Sequence, residues 1–205
     1  MLARRAALGA ALASALAAGC ASTGERALDP ATVQQIHERI EAMGTLRGME
    51  LEENIRMLGE YLGPISVPYL VEALGKHPNP KVRAGVASAI GVSQDGRGIE
   101  PLAACAKGDG DSGVRYTAAY SLLLFRDARG FPLMFEVLHS DDPMRRRVGI
   151  DRLKELTGLD QGYDPAAPKE QREEAAARWE RWFQEAGPQG AAASIRGARR
   201  PASRQ

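Results

Sequence analysis

Three histidines, two cysteines, one loop of glycine and aspartate and one run of arginines are the places where this chain could do chemistry. His77 and His139 fall at matching turns of the first and third copies of a repeat described below. They would lie along one edge but two repeats apart, too far to share a metal ion, and His37 stands alone. Gly108 to Gly113 has the composition of a calcium loop. Counted from Asp109, such a loop needs Gly at its sixth position and Glu at its twelfth, where this chain has Val114 and Tyr120. Asp111 reads instead as a helix cap. Cys105 sits among Leu102, Ala103 and Ala106 with no His or cation near in sequence to activate it, so it reads as a small buried residue. Arg145-Arg146-Arg147, with Arg126 and Arg152 nearby, could receive an acidic protein segment or anionic headgroups; the alternative is a solvated helix start neutralised by Asp141, Asp142 and Asp151. No serine elbow, phosphate-cradling glycine loop or dinucleotide fingerprint occurs. The reading is of a chain with no catalytic residues and no cofactor.

The elements that carry these residues repeat every 32 positions. Val67 falls on Ile99 and Phe131, Leu70 on Leu102 and Met134, and Leu74 on Ala106 and Leu138. Each of these apolar helices leads to a turn and a second helix, opened by Asn79-Pro80, Asp111-Ser112 and Asp142-Pro143. Asn and Asp accept hydrogen bonds from the free N–H groups of a first helical turn, and Pro suits the first helical position. In the second helix Val82-Arg83 matches Val114-Arg115, and Ala87 and Ile90 match Ala119 and Leu122; the third copy slips by one residue, to Arg146, Ile150 and Leu153. The linkers repeat too, as Asp95-Gly-Arg97-Gly98 and Asp127-Ala-Arg129-Gly130. Such periodicity predicts a helical solenoid. The 44% apolar content is rich in Ala and only 5% aromatic, and no alternating β-branched stretch appears, so almost no strand is expected. The net charge of +1 gives no reason to expect a nucleic-acid partner.

The apolar first helix, the Asn/Asp turn, the Val-Arg start and the small run Ala84 to Ala87 resemble the HEAT repeat family, in particular the bacterial type grouped with phycobilisome lyases. The resemblance implies an all-α solenoid whose stacked second helices form a concave wall for a protein or peptide. It also implies that Arg83 and Arg115 are structural, bonding to carbonyls and neighbouring turns. Asn79, Asp111 and Asp142 join them as repeat positions, while two of the arginines from Arg145 to Arg147 have no counterpart. Within this fold His37-Glu38 is similar to the His-Glu dyads of an iron hydroxylase, but that site needs several dyads and this chain has one. By the resemblance and the preference of Tyr and Arg for interface hot spots, Tyr116, Tyr120, Arg145, Arg146 and Arg147 are the candidate contacts.

The N-terminus opens with Arg4-Arg5 and continues as an apolar run of about 13 residues, too short to span a bilayer. It ends Leu16-Ala17-Ala18-Gly19-Cys20, which resembles a bacterial lipobox with Ala17 where Leu is more usual. The resemblance implies cleavage before Cys20 and acylation of its thiol and new amine. Ala21-Ser22 lacks the inner-membrane retention Asp of that family, which implies an outer-membrane lipoprotein facing the periplasm. Cleavage removes Arg4 and Arg5 from 27 basic residues set against 26 acidic ones, so the mature chain is close to neutral.

The expected organisation is a signal peptide over 1–19, a tether over 20–29, capping helices over 30–62, three repeats over 63–160, a capping segment and helix over 161–186, and a disordered tail over 187–205. Trp179, Trp182 and Phe183 share a face that could close the last repeat. The functional expectation is a membrane-tethered, non-catalytic scaffold for protein interaction. The alternatives are a relative or accessory of a HEAT-fold lyase or hydroxylase, and a structural spacer in an envelope assembly.

Overall fold

The structure, a computed structural model, describes residues 28–196; Cys20, the expected signal peptide and residues 197–205 lie outside them. Backbone contacts divide the chain into two compact units, residues 1–33 and 34–205. The described part of the first unit is the start of helix α1 (Pro30–Ala42). Asp29 caps it, accepting from the amides of Ala31 (2.9 Å) and Thr32 (3.2 Å) and from the Thr32 hydroxyl. That hydroxyl and those amides hold the Asp29 carboxyl below its ordinary range.

The second unit is built of stacked helix pairs, and no strand occurs among the described residues. After the rest of α1 come α2 (Gly48–Arg56), continued by a π-helical turn at Met57–Tyr61, then α3 (Gly63–Lys76) and α4 (Pro80–Ser93). A 3₁₀ turn at Gly96–Gly98 leads to α5 (Ile99–Gly108) and α6 (Ser112–Leu124). A second one at Ala128–Gly130 leads to α7 (Phe131–Leu138) and α8 (Pro143–Thr157), and α9 (Lys169–Ser194) closes the described chain. The fold is an all-α solenoid of helical hairpins: α3–α4, α5–α6 and α7–α8 are three copies of one unit.

The repeated apolar positions are the core. Val67 and Phe131, then Leu70, Leu102 and Met134, then Leu74, Ala106 and Leu138 are all buried, as are Val82, Val114, Ala87, Ala119, Ile90 and Leu122 on the second helices. Small residues let neighbouring second helices touch backbone to backbone. A Cβ on Gly91 of α4 would lie 2.7 Å from the Ser121 hydroxyl of α6. Ser121 is itself buried and donates to the Ala87 carbonyl at 2.9 Å. One repeat earlier, Gly59 of the π turn meets the Ala89 carbonyl in the same way, at 2.5 Å. Gly59 and Gly91, like Ala89 and Ser121, stand one repeat period apart, so α2 is the second helix of a degenerate leading repeat. The second helices α4 and α6 pack more closely than the first helices α3 and α5.

The C-terminal end departs from the expected tail. Helix α9 does not stop at Gly187: that residue adopts φ 64°, ψ 170°, the chain kinks, and Pro188 opens a second helical limb. This limb buries Ala191 and Ile195 against the last repeat, and the Arg196 amide donates to the Leu156 carbonyl at 2.7 Å. The segment expected to be disordered from residue 187 is therefore ordered as far as Arg196, because one Ile and one Ala at helical spacing are enough apolar surface when a partner face is already there. Ahead of the kink Trp179 is fully buried, and Trp182 and Phe183 pack their rings on Phe131 at 5.5 Å each. The loop before α9 is pinned by the Tyr163 hydroxyl on the Leu138 carbonyl and by Arg178 on the Gln161 carbonyl (2.8 Å).

Candidate partner-binding face

Two ladders of polar contacts hold the repeats in register, and they determine which arginines remain for a partner. At the hairpin turns Asn79 accepts from the Lys81 amide (3.0 Å), Asp111 from those of Gly113 (2.8 Å) and Val114 (3.0 Å), and Asp142 from that of Met144 (2.8 Å). Behind each cap an arginine turns back onto carbonyls five or six residues earlier. Arg83 donates to His77 and Pro78 (2.9 and 3.1 Å), Arg115 to Asp109 (2.8 Å), and Arg146 to Ser140 and Asp141 (2.8 and 2.9 Å). Two of them also reach the following turn. Arg83 grips the Asp109 carboxylate with two bonds (2.7 and 2.8 Å), and Arg146 grips the Pro165 carbonyl (3.1 and 2.9 Å). Arg83 lowers the Asp109 pKa by hydrogen bonding, and Asp109 raises that of Arg83 for the same reason. On the opposite edge the linker arginines reach the preceding repeat: Arg97 to the Pro64 carbonyl (2.6 Å) and Arg129 to Glu100 (3.0 and 2.8 Å). Sequence reasoning assigned no role to Asp109, Arg97 or Arg129, although the repeated Asp-x-Arg-Gly linker was a usable signal.

This bonding corrects the candidate patch. Arg146 is only 8% exposed and its guanidinium is occupied by the chain's own carbonyls, so it is not a partner contact. Arg126 lies just past the end of α6, at the linker edge and away from the start of α8, and leaves the patch as well. Arg145 and Arg147 are exposed; Arg145 donates to the Ser112 hydroxyl at 2.9 Å, and Arg147 has no partner among the described residues.

Within the three full repeats the exposed part of the second-helix face is concentrated on α8 and the near side of α6. On α4 most of the face is covered: Lys81 is exposed, and Ala84 and Ser88 are half-buried and small. One repeat later those two positions hold Tyr116 and Tyr120. Their size keeps α6 and α8 from the close approach that joins α4 and α6. The result is a cleft of about 150 Å³ lined by Tyr116, Val137, Met144, Arg145 and Val148. Val82 and Val114 fill the equivalent place in the earlier repeats, buried to 1% and 0%, whereas the third copy has Arg145 there. Met144 (67% exposed) and Val148 (40%) form the rim. The Tyr116 hydroxyl is buried without a hydrogen-bond partner, and burial pushes its pKa up to about 12. Tyr120 is raised by burial too, with the Arg152 guanidinium opposing from 5.0 Å above its ring. An apolar cleft beside Tyr116, with the exposed Arg145 on its wall and the exposed Arg147 close in sequence, suits a side chain carried by an acidic segment.

The other groups with possible chemistry serve the scaffold. His77 contacts Glu41 (3.1 Å), tying the first turn to α1. His139 lies between Glu173 (2.6 Å) and Glu180 (3.3 Å) of α9, tying the third turn to that helix. His37 packs edge-on against Tyr69, ring centroids 5.4 Å apart. Among the described residues no group of three or more His, Cys, Asp or Glu is placed to hold a metal ion. Cys105 is half-buried with its sulfur 3.9 Å from Asp109; burial, then that carboxylate, push its thiol up to about 11, so it stays protonated at neutral pH.

Residues 67–154 match the family described as HEAT repeats. Neither the curated proteins nor the solved structures include a match to this chain.

Proposed function

We propose that this chain, whose residues 67–154 match HEAT repeats, is a non-catalytic protein-binding scaffold, tethered to a bacterial membrane through acylated Cys20. HEAT repeats commonly mediate protein–protein interaction, and the observation that carries the reading here is the cleft beside α8. Over α4 the second-helix face is covered or small, but at α8 it exposes Met144, Val148, Arg145 and Arg147 around Tyr116. Exposed apolar side chains ringed by charge are what a docking surface presents.

The tether is supported by the lipobox-like Leu16 to Cys20 alone. Among the described residues no helix is long and apolar enough to cross a membrane. Each buried acyl methylene contributes about 0.8 kcal/mol, so two or three chains hold a protein to a leaflet without spanning it. Ala21-Ser22 favours the outer membrane, facing the periplasm. The test is the intact mass of the protein from the membrane fraction, for wild type and Cys20→Ser, together with crosslinking. A mass for residues 20–205 plus acyl chains, and a crosslinked partner lost on Arg147→Glu, are the expected results. An unlipidated, soluble product removes the membrane address, and a partner that survives Arg147→Glu and Met144→Asp removes the binding face.

A further inference from the structure

The second helices carry a charge and size pattern that reads as self-complementary. The shared close approaches set the register: Gly59 is to Ala89 as Gly91 is to Ser121, and Arg115 is to α6 as Arg146 is to α8. In that register Glu52, Ala84, Tyr116 and Arg147 occupy one row across α2, α4, α6 and α8. Arg56, Ser88, Tyr120 and Asp151 occupy the row one helical turn further on, and Met49, Lys81, Gly113 and Met144 the row before. Reversing the order of the helices sets opposite charges and matching apolar residues against each other in these rows. Glu52 meets Arg147, Arg56 meets Asp151, the tyrosines of α6 meet the small Ala84 and Ser88 of α4, and Met49 meets Met144.

We propose that the partner seated on this face is a second copy of the chain, paired about a two-fold axis parallel to the helices. Such an axis keeps the helix direction, places α2 of one copy opposite α8 of the other, and makes every contact twice. A two-fold along the stack would instead set α8 on α8 and α6 on α6, bringing Arg147 toward Arg147 and Tyr116 toward Tyr116. Four observations favour the first arrangement. Glu52, Arg147 and Asp151 are exposed and have no partner among the described residues. Arg56 makes only surface contacts, a pair with Glu53 at 2.7 Å and a place 5.9 Å above the exposed Tyr61 ring, which cost little to exchange. Met49 is 85% exposed at the head of α2, and the apolar cleft beside Met144 and Val148 is open at the head of α8. Tyr116 and Tyr120 of α6 fall opposite the small, half-buried Ala84 and Ser88 of α4. The like-charged pair that the register creates, Glu60 against Glu155, is relieved because Arg152 already holds Glu155 at 2.7 Å. The inference rests on the second-helix face being the binding face, and anchoring both copies in one leaflet would raise their effective concentration.

The test uses the full-length chain in its membrane. A chain carrying Glu52→Cys is co-expressed with one carrying Arg147→Cys, and the membranes are exposed to a mild oxidant. The expected result is a disulfide-linked dimer from the mixture and none from either variant alone. Adding Asp151→Arg to both chains lowers the yield at least about tenfold, and Arg56→Asp restores it. All four positions are exposed, so the repeats stay folded, which circular dichroism checks. No dimer from the mixture, or equal dimer from each variant alone, overturns the self-pairing. If the self-pairing fails while Arg147→Glu still releases a different crosslinked protein, the binding face survives; if Arg147→Glu changes nothing, both fall.

Discussion

Replacing Arg83 by Ala removes the strongest tie between the first and second repeats. The guanidinium makes two bonds to Asp109 at 2.7 and 2.8 Å and two to the His77 and Pro78 carbonyls at 2.9 and 3.1 Å. The pair is enclosed, with side-chain exposures of 16% for Arg83 and 8% for Asp109. Without the arginine, Asp109 is left as a nearly buried carboxylate held mainly by the Asp111 amide at 2.8 Å. Losing one partner of a buried pair costs about 3–5 kcal/mol; the edge position points to the lower end, about 3 kcal/mol. Arg97 supplies the contrast. It pairs with Asp95 at 2.7 Å but is 53% exposed, and an exposed pair contributes less than about 1 kcal/mol. In urea, with a slope of about 2 kcal/mol per molar, Arg83→Ala should lower the midpoint by about 1.5 M and Arg97→Ala by less than about 0.5 M. Because repeat arrays can unfold in parts, amide exchange at the Asp109 turn should be followed beside the global transition. The double variant Arg83→Ala/Asp109→Ala should cost less than the two single changes added, since it leaves no orphan charge. The folded-state pKa of Asp109 is depressed, so the pair's contribution is fully present above the unfolded carboxyl pKa of about 3.9 and is lost as pH falls through the lower folded value. The gap between wild type and Arg83→Ala should therefore be present at neutral pH and shrink as acid neutralises Asp109. Equal losses for Arg83→Ala and Arg97→Ala, or simple additivity in the double variant, would refute the reasoning.

Arg126 and Gln94 hold left-handed backbone (φ 60° and 52°) just after their second helices, as Gly158 (φ 68°) does after α8; Arg126→Gly should raise stability by about 0.5–1 kcal/mol, read as a rise of about 1–4 °C in midpoint. Gln94→Gly should gain less, because the Gln94 side chain donates to the Gly91 carbonyl at 2.6 Å. Ile195→Ala should cost about 2–4 kcal/mol in urea unfolding, because that side chain is 3% exposed within the last core cluster. An unchanged midpoint would return this segment to a disordered tail.

The repeats were legible because a solenoid is read locally. Each unit buries its apolar helix against the next, so the same positions recur one period later and nothing distant is needed to see Leu70, Leu102 and Met134 as one row. Caps are local as well, since Asn79, Asp111 and Asp142 bond to amides two residues on. The site was less legible. Three consecutive arginines look alike in sequence, and only the turn that Arg146 faces separates it from Arg145 and Arg147. The tail after Gly187 looked featureless because two apolar residues bury little by themselves; a waiting face on the last repeat makes them sufficient. In sequence Asp109 looks like half of a calcium loop, whereas in the fold Arg83 of the preceding repeat lies against it.

What the sequence alone determined is therefore the all-α class, the repeat period, the capped turns and the candidate lipid anchor, all of which depend on neighbours within a few residues or on repetition. The tertiary structure decided which arginines are free, where the second-helix face is open, and how far the C-terminal end is ordered. These depend on volume: Gly91 lets α4 and α6 touch, whereas Tyr116, Tyr120 and Arg145 hold α6 and α8 apart and leave the cleft. Whether two helices meet or part is a property of the side chains between them, and those side chains come from different repeats.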